Sequence, residues 1–190
     1  MTNKAVIYEI DRIIKETWIK EIKKDYAMGW LRLEYGLQSC MFFHLRKKLA
    51  KVLKENSLRI YTEYYFPKTK QRADMVIAEV DPADSYNVKD IIALFEFKYT
   101  YATDDETTQW VMKDIRKFKI YLQKENLENT IFYFGVIYEA DCGDIDGIRW
   151  ITDKIVTQNW ASGRLTELDA GIINGKMAFG VNSFNGLNQE

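Results

Sequence analysis

Apolar residues in the first fifty positions recur at helical spacing. In residues 3–24 they fall at Val6, Ile10, Ile13, Ile14 and Ile22, and in residues 28–54 at Leu31, Leu37, Met41, Leu45, Leu49 and Val52. Such spacing gathers each set on one side of a helix, so the chain opens on two amphipathic helices. From residue 58 the pattern changes to short β-branched and aromatic runs. These are LRIYTEYYF (58–66), stopped by Pro67; RADMVIAEV (72–80), stopped near Pro82; and IIALFEFKYT (91–100), reached through a polar loop. Thr103-Asp104-Asp105-Glu106 has the form of a capping box and opens a helix to about Gln123. TIFYFGVIYEA (130–140) then reads as a buried strand, with a short helix near 149–160. RLTELDAGIINGKMAFGVN reads as a hairpin turning at Asn174-Gly175. The order α-α-β-β-β-α-β predicts an α/β fold, a central mixed β-sheet flanked by helices.

Length and composition narrow the class. At 190 residues the chain suits one domain, and 47% hydrophobic with 29% charged residues is an ordinary globular mixture. No apolar run approaches the roughly 18 to 20 residues that span a bilayer, so no membrane is expected. The first residues, MTNKAVIYEIDRIIKE, mix charge into the apolar positions and do not read as a signal peptide. Cys40 and Cys142 stand far apart, which suits free thiols in a reducing, cytoplasmic setting. Net charge is −1, so contact with nucleic acid must come from local clusters such as Arg46-Lys47-Lys48, Lys68 to Arg72 and Lys113 to Lys119. Each of these also reads as a solvated face. The tryptophans Trp18, Trp30, Trp110, Trp150 and Trp160 read as core or helix-packing residues, and His44 as a surface or packing histidine.

His44 is the sole histidine, which excludes a multi-histidine zinc site, and no GxSxG elbow, Walker loop or GxGxxG fingerprint is present. Chemistry therefore falls to carboxylates and lysines. In Leu94-Phe95-Glu96-Phe97-Lys98-Tyr99, strand alternation puts Glu96 and Lys98 on one face and the aromatics on the other. Two charges on an inner strand need a reason, because desolvating each costs several kcal/mol. One reason is a metal site beside a substrate phosphate; the other reading is a strand covered on one side only. Asp74 lies 22 residues earlier, at the start of the preceding apolar segment. A hairpin brings that start to the far end of the next strand, beside Glu96 and Lys98. The two carboxylates then converge as oxygen ligands suited to Mg²⁺ or Mn²⁺. Glu34 shares a helical stripe with Leu31, Gln38, Met41 and Leu45, so it is expected to face inward, as a structural or a metal-linked group.

A helix Glu, a strand Asp and a following ExK together resemble the PD-(D/E)XK nuclease superfamily, the restriction-endonuclease-like fold. The resemblance covers about residues 28–140 and matches Glu34, Asp74, Glu96 and Lys98 to that pattern. It implies an α-β-β-β-α-β core, with the N-terminal helix 3–24 before it and a C-terminal extension, 141–190, carrying the hairpin. Many members hold polar residues on the following helix, which points to Gln109, Asp114 and Lys117; Lys70 and Arg72 are further candidates for contact with nucleic acid. Ala73 stands where the family often has proline. The implied activity is Mg²⁺- or Mn²⁺-dependent hydrolysis of phosphodiesters in nucleic acid, DNA first. Asp74, Glu96 and Glu34 are the implied metal ligands, and Lys98 the cation that stabilises the transition state. The alternative is a catalytically inactive binding or assembly module of the same fold. Cutting both strands of a duplex would favour a homodimer.

Overall fold

The computed structural model describes residues 2–143 and 159–184. Asn3 caps the first helix by accepting the Ala5 N–H at 2.9 Å. Helix α1 (Lys4–Thr17) passes through a π-helical turn (Trp18–Ile22) into α2 (Lys23–Ala27). The expected stripe is the buried one: Ile10, Ile13, Ile14, Trp18 and Ile22 all lie in the core. Helix α2 ends in a Schellman arrangement on Gly29, whose φ of +73° suits a residue without Cβ. Gly29 N–H donates to the Tyr26 carbonyl and Trp30 N–H to that of Asp25.

That turn divides the second helix expected at 28–54. Residues 28–33 are non-helical; α3 runs Glu34–Lys48 and α4 Ala50–Glu55. Glu34 is thus the first residue of α3, where a carboxylate suits the positive end of the helix dipole. Leu31 lies outside the helix and cannot share a stripe with Glu34, although Gln38, Met41 and Leu45 are buried as expected.

One sheet of six strands follows, in spatial order β1 (Leu58–Phe66), β2 (Gln71–Asp81), β3 (Asp84–Thr100), β4 (Ile131–Asp141), β5 (Leu165–Ile173) and β6 (Lys176–Ser183). The first three form an antiparallel meander. Helix α5 (Asp105–Glu125) carries the chain across to β4, which runs parallel to β3, and β5 runs parallel to β4. The hairpin turns at Asn174 (φ 51°) and Gly175 (φ 72°), as the Asn-Gly pair predicts, and lengthens the sheet by two strands. Where a polar loop was expected at 81–90, β3 begins at Asp84. Its first four residues are exposed, so no apolar alternation marks them as strand. The helix expected near 149–160 lies outside the described residues except for a 3₁₀ turn at Asn159–Ala161.

Two cores sandwich the sheet. One joins α1, α3 and α4 to Met75, Ile77, Phe95, Phe97 and Tyr133; the other joins Val111, Ile115, Phe118 and Tyr121 of α5 to Val76, Leu94, Phe132, Phe134 and Val136. Gly135 of β4 lies under the Phe97 ring, where a Cβ would come within 2.7 Å of it. Trp18 and Trp160 pack as expected, but Trp30 and Trp110 are 64% and 50% exposed. They are not core residues. No helix among the described residues is long and apolar enough to cross a membrane.

Candidate functional site

The site begins where β2 and β3 part. Their ladder runs from the distal turn to Met75↔Phe95 and is not continued to Asp74 and Glu96. Ala73 packs in the α5-side core and Met75 in the opposite one, although residues two apart in a regular strand share a face. The strand therefore changes face at Asp74. Beside it in β1, Glu63 takes a left-handed φ of 51° and drops out of the pairing with β2. At the fork the Asp74 side chain stands in for the missing ladder: its Oδ2 accepts the Phe97 N–H at 2.5 Å. Gln38 of α3 braces the same point, its Nε2 donating to the Asp74 carbonyl at 2.5 Å and to Glu63 Oε1 at 3.1 Å.

Glu96 projects toward α5 and is 1% exposed. Lys117 Nζ donates to its Oε2 at 3.0 Å and reaches Asp114 Oδ1 at 2.8 Å. The Tyr121 hydroxyl donates to the Arg72 carbonyl at 2.8 Å and lies 3.4 Å from Glu96 Oε1. Two residues along β3, Lys98 bridges the helices, its Nζ 3.0 Å from Glu34 Oε2 of α3 and 3.1 Å from Asp114 Oδ2 of α5. Three carboxylates, Glu34, Glu96 and Asp114, thus share two ammonium groups. The Glu34 side chain is 44% exposed and opens the cluster to water, which corrects the expectation that it faces inward.

The electrostatics follow from this crowding. Burial pushes Asp74 up to about 6, the Phe97 N–H pulls back, and Glu34 is the neighbouring charge that adds most to the rise. Burial also drives Glu96 well above the usual carboxylate range, with Asp74's charge next in weight and Lys117 opposing. Burial lowers Lys98, but Asp114 and Glu34 outweigh it and hold the ammonium more firmly protonated than usual. Lys117 is raised in the same way, Glu96 and Asp114 overcoming its burial.

Asp74, Glu96, Lys98, Glu34, Asp114 and Lys117 therefore meet in one cluster. Lys70, Arg72 and Gln109 have exposed side chains; Arg72 donates to the Glu63 carbonyl and lies over the Tyr65 ring. Sequence reasoning missed Gln38 and Tyr121 as parts of the site, since it placed Gln38 only by helical phase and did not single out Tyr121. Nor did it single out Glu167 and Asp169, which share a sheet face with Glu96 and Lys98. The parallel registers set Glu96 level with Phe134 and Glu167, and Lys98 level with Val136 and Asp169. Phe134 and Val136 face α5, so all four charged residues lie on that face, and Glu167 and Asp169 are fully buried. The ExD spacing in β5 repeats the ExK spacing in β3 and was the available signal.

Among the described residues, no three or more histidine, cysteine or acidic side chains are drawn close enough to wrap a metal ion as they stand. The donor set is oxygen only, which suits Mg²⁺ or Mn²⁺, ions that use one or two carboxylates and leave the rest to water and phosphate. A buried Glu96 whose proton affinity is raised by the neighbouring Asp74 charge, and an Asp74 raised by Glu34 and Asp114, fit such an ion, and the Lys117 ammonium shows that a cation is accommodated beside Glu96. His44, the lone histidine, is elsewhere, its Nε2 2.7 Å from Asp25 Oδ2. Comparison with protein-family models, with curated proteins and with solved structures finds no match.

Proposed function

We propose that the chain is a metal-dependent nuclease of the PD-(D/E)XK type, hydrolysing phosphodiesters of DNA. The observation that carries the reading is the fork, where Asp74 leaves the ladder beside Glu96 while Lys98 shares the face of Glu96. The element order α3-α4-β1-β2-β3-α5-β4 supports this reading, since apart from the short α4 it has the α-β-β-β-α-β succession that the resemblance implies. Asp74 and Glu96 would hold Mg²⁺ or Mn²⁺, which supplies charge to the scissile phosphate and acidity to a bound water. Asp74 is fixed for this by the Phe97 N–H, and Gln38 fixes the strand behind it. Lys98, kept charged by Glu34 and Asp114, offers a positive charge to the phosphoryl oxygens and is no base. Glu34 holds that ammonium at the open side of the cluster.

One observation favours a second reading, the inactive binding module: Lys117 already neutralises Glu96 and Asp114, as an internal counter-ion would in a site without metal. Calorimetric titration with Mg²⁺ or Mn²⁺ separates the two, together with cleavage of plasmid, single-stranded DNA and RNA. The nuclease reading expects metal binding and cleavage, with Lys98→Ala losing about 10² to 10³ in rate. Wild-type protein that binds no metal and cuts none of the three overturns it.

A further inference from the structure

Among the described residues seven aromatic side chains are exposed, and four of them, Trp30, Tyr35, Tyr101 and Trp110, stand within four residues of Glu34, Lys98 or Asp114. Scattered exposed aromatics need no explanation; a concentration around one chemical centre does. Trp110 is the best placed. Trp110, Asp114, Lys117 and Tyr121 fall at i, i+4, i+7 and i+11 of α5, one stripe of the helix. The last three all reach Glu96 or Lys98, so Trp110 continues the line of the site by one turn and is half-exposed. On the other bank, the Tyr101 hydroxyl donates to the Arg32 carbonyl and that of Tyr99 to the Leu31 carbonyl. These bonds hold the segment before α3 against the end of β3; Trp30 precedes Glu34 by four residues in that segment and Tyr35 follows it directly, both exposed.

Rings in this position have no use for a duplex, whose bases cover one another's faces. They stack on unpaired bases. Duplex binding, with no stacking to add, leans more heavily on a cationic surface than single-strand binding does. Here the net charge is −1, and each lysine of the site is held by two carboxylates, Lys98 by Glu34 and Asp114, Lys117 by Glu96 and Asp114. We infer that the site takes single-stranded nucleic acid, its bases stacked on Trp110 and on Trp30 and Tyr35 while a backbone phosphate lies at Glu96 and Lys98. The inference rests on the nuclease reading and names its substrate class.

The test uses a fluorescein-labelled mixed-sequence DNA oligonucleotide, alone and annealed to its complement. Anisotropy without metal gives affinities, and Mg²⁺ is then added to follow cleavage. The single strand should bind about tenfold more tightly than the duplex, and Trp110→Ala should lose about tenfold of that affinity, because stacking on one aromatic is worth about that factor or more. Trp110→Phe should keep most of it, and metal affinity by calorimetry should be unchanged in both. Should Trp110→Ala melt early, Trp30→Ala and Tyr35→Ala, at more exposed positions, give the same reading. Duplex bound as tightly as single strand, or single-strand affinity unmoved by loss of these rings, overturns the inference even if the protein cuts DNA. Ring-dependent binding of the single strand without metal-dependent cleavage upholds single-strand recognition and removes the nuclease reading.

Discussion

Strands β3 and β5 carry the same kind of sequence to the same face of one sheet, and the structure treats them differently. Glu96 and Lys98 in β3 lie level, across β4, with Glu167 and Asp169 in β5. Glu96 is as deeply buried as the β5 acids, but its neighbours lead outward: Lys117 and Lys98 are partly exposed and Glu34 is nearly half in water. The β5 acids sit beside the last strand, β6. Both are fully buried, and the Asp169 carboxylate rests against β6 at Gly180, where any Cβ would collide with it. A charged pair on an inner strand therefore does not identify a site. Under the proposed function, the fork in the ladder and the path to solvent mark Glu96 and Lys98 as the chemical pair.

The largest expected effect tests that separation directly. Asp74→Asn and Glu96→Gln should each reduce metal-dependent cleavage about 10² to 10³-fold, on the scale of losing one preorganised charge-stabilising group. Glu167→Gln and Asp169→Asn should leave it within a few-fold. Asparagine keeps an oxygen to accept the Phe97 N–H, so Asp74→Asn should melt no lower than wild type without metal. Asp74→Ala leaves that donor open, at a cost of about 1–3 kcal/mol. A folded Glu167→Gln protein that no longer cuts would merge the two strands into one site.

Next in size is Gly180→Ala. Overpacking against the Asp169 carboxylate should cost about 1–3 kcal/mol in urea unfolding. Metal affinity of the folded protein should not change, since the strain falls two strands from Glu96. An equal loss of metal affinity would mean that β5 supports the site after all.

The smallest effect is one of pH. Asp74 titrates near 6 in the folded chain, above its ordinary value, so the folded state holds this proton more tightly than the unfolded one. Its charge therefore destabilises the metal-free protein above pH 6, and the penalty is lifted as pH falls through 6 toward the unfolded value. Between about pH 7.5 and about pH 5 the gain from this group is about 1 kcal/mol. The check is the stability difference between wild type and Asp74→Asn across that range, which should narrow by this amount on acidification. A difference that does not move with pH places Asp74 in contact with water.

Much of the architecture was legible because burial writes itself as periodicity: α1, α5 and the apolar halves of β1 to β4 follow their patterns. The sheet hides where that pressure is absent. The exposed start of β3 has no buried face to alternate with, and the break at 28–33 is signalled only by Gly29, whose left-handed cap overrides a stripe that seems to run on through Leu31. In the site, Asp74, Glu96 and Lys98 were readable because strand alternation and hairpin geometry place them. Gln38 and Tyr121 were not, since their roles depend on carbonyls exposed by the fork. The face change at Asp74 leaves no mark in the residue types, and Glu167 and Asp169 needed the crossover through β4 to bring them level with β3.

The buried Trp18 sets a timetable for the chain. Its indole N–H donates to the Asp169 carbonyl at 3.0 Å across 151 residues, and its ring lies against Phe179 of β6. At translation speeds of about 5–20 residues per second, that partner arrives about 8–30 s after the tryptophan is made. Until then the stripe of Ile10, Ile14, Trp18 and Ile22 has only part of its cover. The cover of Trp18 is complete only when β5 and β6 are in place.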